Sequence, residues 1–134
     1  MAIAHFTLAT RDVPRASRFF ESTLGWRPVS RPGNIPRVAA WLAIAPGQEL
    51  HLVEVTDFAP SPFEREFGRH IAVRYPREGF PGLKQRLADE GAELIAPARA
   101  TPFERFFFRD PNGYVFEVIA AEGPATPPPK SPAP

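Results

Sequence analysis

Gly68-Arg-His-Ile-Ala-Val-Arg-Tyr75 restarts a pattern that the chain has already run once. Alternation along this stretch puts His70 and Ala72 on one face of a strand and Ile71 and Val73 on the other. About 65 residues earlier, Ile3 to Ala9 reads the same way, with Ile3, His5 and Thr7 on one face and Ala4, Phe6 and Leu8 on the other. A helix is expected behind each strand. In the first copy Asp12 is the expected N-cap and Pro14 lies in the first turn. Ala16, Phe19, Phe20 and Leu24 then share a face, and Gly25 ends the helix in a left-handed turn. In the second copy the helix runs from Pro81 to Glu90, with Leu83 and Leu87 on its apolar side and Gly91 at its end. From His5 to Gly25 is 20 residues and from His70 to Gly91 is 21.

Three further strands are expected in each copy. They are Trp26 to Arg31, Arg37 to Ala45 and Glu49 to Val55 in the first, and Glu93 to Ala98, Arg105 to Phe108 and Tyr114 to Ile119 in the second. Arg31-Pro-Gly-Asn34, Pro46-Gly47 and Asp110-Pro-Asn-Gly113 supply the turns. The expected fold is therefore α+β, two tandem βαβββ modules making one pseudo-symmetric domain over 1–122. Module one covers 1–57, a Pro- and Phe-rich linker 58–67, and module two 68–122. Residues 123–134 (GPATPPPKSPAP) cannot pack a core and are expected to form a disordered, polyproline-like tail.

The bulk numbers remove several classes of function. A net charge of +1 gives no electrostatic case for nucleic acid or a membrane surface. With no cysteine there are no disulfides, thiolate metal sites or cysteine nucleophiles. No apolar run approaches the roughly 20 residues of a membrane span. Met1-Ala-Ile-Ala-His5 lacks the basic and apolar regions of a secretory signal, so a cytoplasmic protein is the expectation. No glycine-rich phosphate loop is present, and no serine has a triad context.

The chain has three histidines, His5, His51 and His70, and each falls in an expected strand. Glu117 falls in another. His5 and His51 are 46 residues apart, and His70 and Glu117 are 47 apart. One unit used twice would thus offer one donor from its first strand and one from its last. Leu50 and Leu52 flank His51, and Phe116 and Val118 flank Glu117, so each donor can face away from the helices. Three imidazoles and a carboxylate suit a divalent transition metal such as Zn, Ni, Fe or Mn. Taken alone, each histidine also reads as a core imidazole bonded to backbone. Glu54 lies on the face opposite His51. Glu49 shares the face of His51, roughly 7 Å away along the strand, and is expected to back His51 or to sit at the rim rather than to be a ligand.

The order of segments resembles the vicinal oxygen chelate superfamily, the glyoxalase I, bleomycin-resistance and extradiol-dioxygenase group. His5-Phe-Thr-Leu, the helix end from Phe19-Phe20 to Leu24-Gly25-Trp26, Glu49-Leu-His-Leu-Val-Glu54, Gly68-Arg-His-Ile-Ala-Val73 and Phe108-Arg-Asp-Pro-Asn-Gly-Tyr-Val-Phe-Glu117 carry it, from Ile3 to about Ala121. The resemblance implies a curved mixed β-sheet cup with a metal inside, often completed across a homodimer. It also implies a small-molecule substrate and ligands on the first and last strands of each module, at His5, His51, His70 and Glu117. By the same resemblance Glu117 would double as a proton shuttle, with His51 also a candidate in catalysis.

Position 51 departs from the bacterial glyoxalase I pattern, which usually has glutamate there. Losing that carboxylate raises the positive charge of the metal site by one unit and leaves Glu117 as its only carboxylate. Glyoxalase-like chemistry, with a Lewis acid holding an enolate or enediolate, is the leading expectation, of isomerase or lyase type. An Fe(II) dioxygenase of the extradiol type would use His5, His70 and Glu117, with His51 as a fourth ligand or a neighbouring acid or base. A thiol transferase acting on an epoxide antibiotic, and a metal-free antibiotic-binding resistance protein, are further alternatives. Arg37, Arg74 and Arg105 are candidates for holding an anionic substrate, although each reads first as a solvated rim charge. Trp41 and the 58–67 linker are candidates for a pocket wall or lid.

Overall fold

The computed structural model describes residues 1–123; most of the expected tail therefore lies outside the described residues. The chain divides into two compact units, Met1–Pro60 and Ser61–Pro134. The first contains β1 (His5–Thr10), α1 (Val13–Thr23), β2 (Arg27–Val29), β3 (Ala39–Ala45) and β4 (Gln48–Glu54). The second contains β5 (Ile71–Tyr75), a 3₁₀ turn (Arg77–Gly79), α2 (Phe80–Asp89), β6 (Glu93–Ile95), β7 (Arg105–Arg109) and β8 (Val115–Ala120). Each unit is a βαβββ module, so the α+β tandem-module architecture is realised.

The two sheets have the same order. The first is β1-β4-β3-β2 and the second is β5-β8-β7-β6. In each, the module's first strand runs parallel to its last, and the other pairs are antiparallel. Thr7 pairs with His51 and Ala72 pairs with Glu117. His5 and His70 lie two residues before those partners, so the His5/His51 and His70/Glu117 relations are equivalent by register.

Local chemistry explains why these elements form. Asp12 caps α1, its carboxylate accepting from the Arg15 N–H at 3.1 Å. Val13, Ala16, Phe19, Phe20 and Thr23 form the buried face. The Phe20 carbonyl accepts from Leu24, Gly25 and Trp26, and Gly25 takes φ 77° to make that end possible. Gly91 at φ 88° ends α2 in the corresponding way. Leu42, Leu50 and Leu52 are fully buried in the first unit, and Leu83, Leu87, Phe108, Phe116 and Val118 in the second. Each such side chain contributes roughly 2 kcal/mol of transfer free energy.

Boundaries differ from the sequence reading where side chains intercept the backbone. β6 stops at Ile95 rather than reaching Ala98: Pro97 has no N–H to give a ladder, and beyond it the Glu66 carboxylate takes the N–H groups of Ala98 and Arg99 at 2.7 and 3.0 Å. β5 starts at Ile71, leaving His70 just before it. The expected strands from Trp26 and from Arg37 shorten to Arg27–Val29 and Ala39–Ala45.

Asp110 fixes the turn between β7 and β8. Its Oδ1 accepts from the N–H groups of Asn112 and Tyr114 at 3.0 and 2.8 Å. Burial pushes its carboxyl up from 3.8 to about 6, against the pull of those bonds. The folded state therefore holds this proton more tightly than the unfolded chain does. The associated stability is fully present below the unfolded value and disappears as pH rises through about 6. Asp110→Asn retains an acceptor oxygen and cannot ionise. Denaturant melts at stepped pH should show wild type falling below this variant between about pH 4 and 6, by up to about 3 kcal/mol. Parallel curves would refute the burial argument.

Candidate functional site

In the first unit the donors lie on the sheet face opposite α1. Leu50 and Leu52 point to the core, so strand alternation turns His51 the other way. Cross-strand register brings Trp41 beside His51. The two rings stack at 3.8 Å between centroids and 5° between planes. His5 stacks on the other side of His51 at 4.0 Å and 16°. His51 is thereby buried within a three-ring stack, while His5 remains exposed. Trp41 covers His51 directly.

Of the two roles open to Glu49 in the sequence, backing His51 or sitting at the rim, the structure shows the first: its Oε1 lies 2.9 Å from His51 Nε2. The side chain bends back across the two-residue spacing to make that bond.

In the second unit Phe116 and Val118 fill the core, and alternation aims Glu117 at the opposite face. Glu117 Oε1 lies 3.4 Å from His70 Nε2. His70 Nδ1 lies 3.2 Å from the Arg65 carbonyl oxygen, an acceptor only. That contact calls for a proton on Nδ1, and in the neutral ring the lone pair then lies on Nε2, beside Glu117. Phe107 meets the His70 ring edge-on at 5.3 Å.

These contacts fit a cation. Metal-binding imidazoles commonly donate their second nitrogen to a carbonyl or carboxylate. Two ligands on a tetrahedral ion with bonds of about 2.1 Å stand about 3.4 Å apart. His70 and Glu117 therefore have the donor types, orientation and separation of two ligands around a shared ion. Among the described residues, no three His, Asp or Glu side chains are gathered into a metal-binding group. The structure brings together His5 with His51, and His70 with Glu117.

Arg105 is where the sequence reading fails most. It is a buried residue, and its side chain retains 3 % of its exposure. Nη1 donates to Glu117 Oε2 at 2.9 Å, and Nη2 donates to Glu66 Oε2 at 3.2 Å and to the Arg99 carbonyl at 2.6 Å. The guanidinium also lies over the Phe107 ring at 5.1 Å. Its Nε is buried with no hydrogen-bond partner among the described residues. The side chain is an interior tie between two carboxylates. Arg37 and Arg74 are exposed and form no ion pair among the described residues.

The 58–67 linker was expected to supply a wall or lid through its aromatics. Phe63 and Phe67 are instead exposed, and the acids between them turn inward. Buried Glu64 accepts from the Val115 N–H at 2.9 Å and from Arg69 at 2.7 Å. Glu66 holds Ala98, Arg99 and Arg105. Its backbone bond from Ala98, then those from Arg99 and Arg105, keep its carboxyl below the usual range. The signal that could have revealed this is the alternation Phe63-Glu-Arg-Glu-Phe67, which sends both acids to one side. A cavity of about 690 Å³ elsewhere in this unit, lined by Arg77, Glu78, Phe80, Pro81, Lys84, Glu104 and Glu122, contains none of the candidate residues.

Residues 2–118 match the Glyoxalase/Bleomycin resistance protein/Dioxygenase superfamily, and the chain belongs to it. It is similar to Glyoxylase I 4 of Arabidopsis thaliana, with 22 % identity over 123 residues, 87 % of this chain and 69 % of that protein. Among solved structures it resembles the fosfomycin resistance protein FosX of Mesorhizobium loti, at TM-score 0.70 and 20 % identity, covering 90 % and 91 % of the two chains. A mutant of FosX from Listeria monocytogenes, complexed with Mn(II) and 1S,2S-dihydroxypropylphosphonic acid, gives TM-score 0.74 at 18 % identity, covering 89 % and 91 %. A glyoxylase/bleomycin resistance protein/dioxygenase domain from Frankia sp. EAN1pec gives 0.72 at 22 %, covering 90 % and 97 %. These likenesses support the fold. No helix among the described residues is long and apolar enough to cross a membrane.

Proposed function

We propose that this chain is a divalent-metal enzyme of the glyoxalase-like type, acting on a small substrate that presents two neighbouring oxygens. The proposed ligands are His5, His51, His70 and Glu117. The observation that carries this reading is the His70/Glu117 pair, with donor atoms 3.4 Å apart and the far nitrogen of the imidazole tied to a carbonyl. When bound, the cation supplies a Lewis acid that polarises a substrate oxygen and stabilises an enolate or enediolate. Glu117 Oε1, the oxygen that Arg105 leaves free, would hold the cation and, once exchanged off it by substrate, would accept and return the substrate proton, while Oε2 stays on Arg105. Arg37 and Arg74 are exposed cations available to an anionic substrate group, whereas both Nη atoms of Arg105 are already engaged. The same reading takes the protein as a cytoplasmic homodimer.

The contact between Glu49 and His51 favours one second reading. If His51 stays with Glu49, then His5, His70 and Glu117 form the two-histidine, one-carboxylate set of an Fe(II) dioxygenase. His51 would then be a neighbouring acid or base.

Elemental analysis of protein purified without a metal-binding tag should find about one Mn, Ni, Zn or Fe per chain. Turnover should follow with a thiol adduct of a 2-oxoaldehyde, assayed beside fosfomycin and a catechol. Catechol cleavage with oxygen uptake, in protein whose iron survives His51→Ala, would replace the leading reading by the second. Fosfomycin turnover alone would move the reaction to epoxide opening on the same metal. A protein that takes up no metal after reconstitution would leave small-molecule sequestration as the function.

A further inference from the structure

Glu117 has two carboxylate oxygens with different surroundings. Oε2 is engaged by buried Arg105, and Oε1 faces His70 Nε2. Arg105 is held on its far side by Glu66 and by the Arg99 carbonyl. Glu66 is itself fixed by the N–H groups of Ala98 and Arg99. The chain of contacts runs from the linker to the candidate ligand without a solvated link, since the side chains of Arg105, Glu117 and Glu66 retain 3 %, 9 % and 13 % exposure. Glu66 touches neither His70 nor Glu117 directly.

We propose that Glu66 and Arg105 are positioning residues that leave Glu117 a single free oxygen, so that it meets a divalent cation as a monodentate ligand. The inference rests on the metal reading above and extends it to two residues which that reading does not use as ligands. A carboxylate with both oxygens free can close on a cation in bidentate fashion, occupying two coordination positions. With Oε2 committed to a guanidinium, Glu117 occupies one, and the second stays available to a substrate oxygen. The same Arg105 contact draws electron density from the carboxylate. Glu66 offsets that pull by sharing the guanidinium, so the three groups together carry one net negative charge.

The two positioning residues therefore have effects of opposite sign on the cation. Glu66→Gln removes a negative charge and leaves Glu117 as the one carboxylate on Arg105. Mn(II) affinity should fall about tenfold while Glu117 remains monodentate. Arg105→Gln frees Oε2, so Glu117 should become bidentate and affinity should hold or rise. Infrared difference spectra on adding Mn(II) read the mode directly. The separation of the asymmetric and symmetric carboxylate stretches is wide for a monodentate ligand and narrow for a bidentate one, and Glu117→Gln identifies the bands. Arg105→Lys keeps the cation, should keep the wide separation, and serves if Arg105→Gln does not fold.

A narrow separation in wild type overturns the inference and leaves the metal reading standing. So does an affinity in Glu66→Gln within twofold of wild type. Parallel losses of affinity and melting temperature in Glu66→Gln and Arg105→Gln, with no spectral change, would make the tie purely structural. Wild-type protein that binds no Mn(II) overturns this inference, and reconstitution with Zn, Ni and Fe then decides the metal reading separately.

Discussion

Arg105→Met should destabilise the metal-free protein by about 3–5 kcal/mol. The guanidinium is the cationic partner of Glu117 at 2.9 Å and of Glu66 at 3.2 Å, and its side chain is almost wholly removed from water. Deleting it leaves the buried Glu117 carboxylate without its counter-ion, which costs far more than losing an exposed pair. For a chain of this size the change corresponds to a fall in Tm of roughly 10–20 °C. The argument makes a second demand. If the loss comes from stranded negative charge rather than missing packing, adding Glu66→Gln and Glu117→Gln to Arg105→Met should recover most of it. Chemical denaturation in the presence of a chelator measures both. A single-variant loss under about 1 kcal/mol would mean that the guanidinium is effectively solvated. A triple variant no more stable than the single would place the loss in packing around Phe107.

Arg105 also shows what sequence patterning can and cannot resolve. Alternation gives a residue's face, and it correctly opposes His51 to Leu50 and Leu52, and Glu117 to Phe116 and Val118. The tandem modules were legible for the same reason: strand and helix periods, capping at Asp12, and the two helix-ending glycines are all local. Whether a face is open to water is not local. Arg105 is covered because Glu66, 39 residues earlier, reaches it, and no periodicity carries that information. The end of β6 is partly local, since Pro97 has no N–H for a ladder, and partly not, since one carboxylate from the linker captures the two N–H groups that follow. Glu49 kept two roles open in the sequence, backing His51 or sitting at the rim, because strand spacing sets only Cα positions. A glutamate side chain is long enough to cross the two-residue interval and bond His51. Of the candidate donors, the equivalence of the two pairs was visible in their spacing. The contacts that orient them, Arg65 to His70 and Glu49 to His51, required coordinates.

His70→Ala should weaken divalent-metal binding on the order of 100-fold or more, beyond the 10–100-fold typical of losing an outer-shell partner. Glu117→Gln should do the same, because a neutral amide replaces the only carboxylate in the proposed set. Affinity in wild type should also fall on acidification, as protons compete for the imidazoles. The first unit carries its own reporter. Trp41 stacks on His51 at 3.8 Å, whereas Trp26 packs on Phe20 at 5.3 Å. In a Trp26→Phe background, Trp41 emission reads the state of the His51 ring. Occupation of His51 by a cation requires its Nε2 to leave Glu49 or its Nδ1 to be used, and either changes the environment of the indole. Titration with Mn(II) or Zn(II) should therefore change Trp41 emission with the same midpoint as total metal uptake, and His70→Ala should shift both midpoints together. That coincidence would tie His51 and His70 to one binding event. Metal uptake with silent Trp41 would remove His51 from the ligand set and favour the three-ligand iron reading. A Trp41 response that survives His70→Ala unchanged would mean that the first unit binds metal independently, and the four-donor proposal would fail.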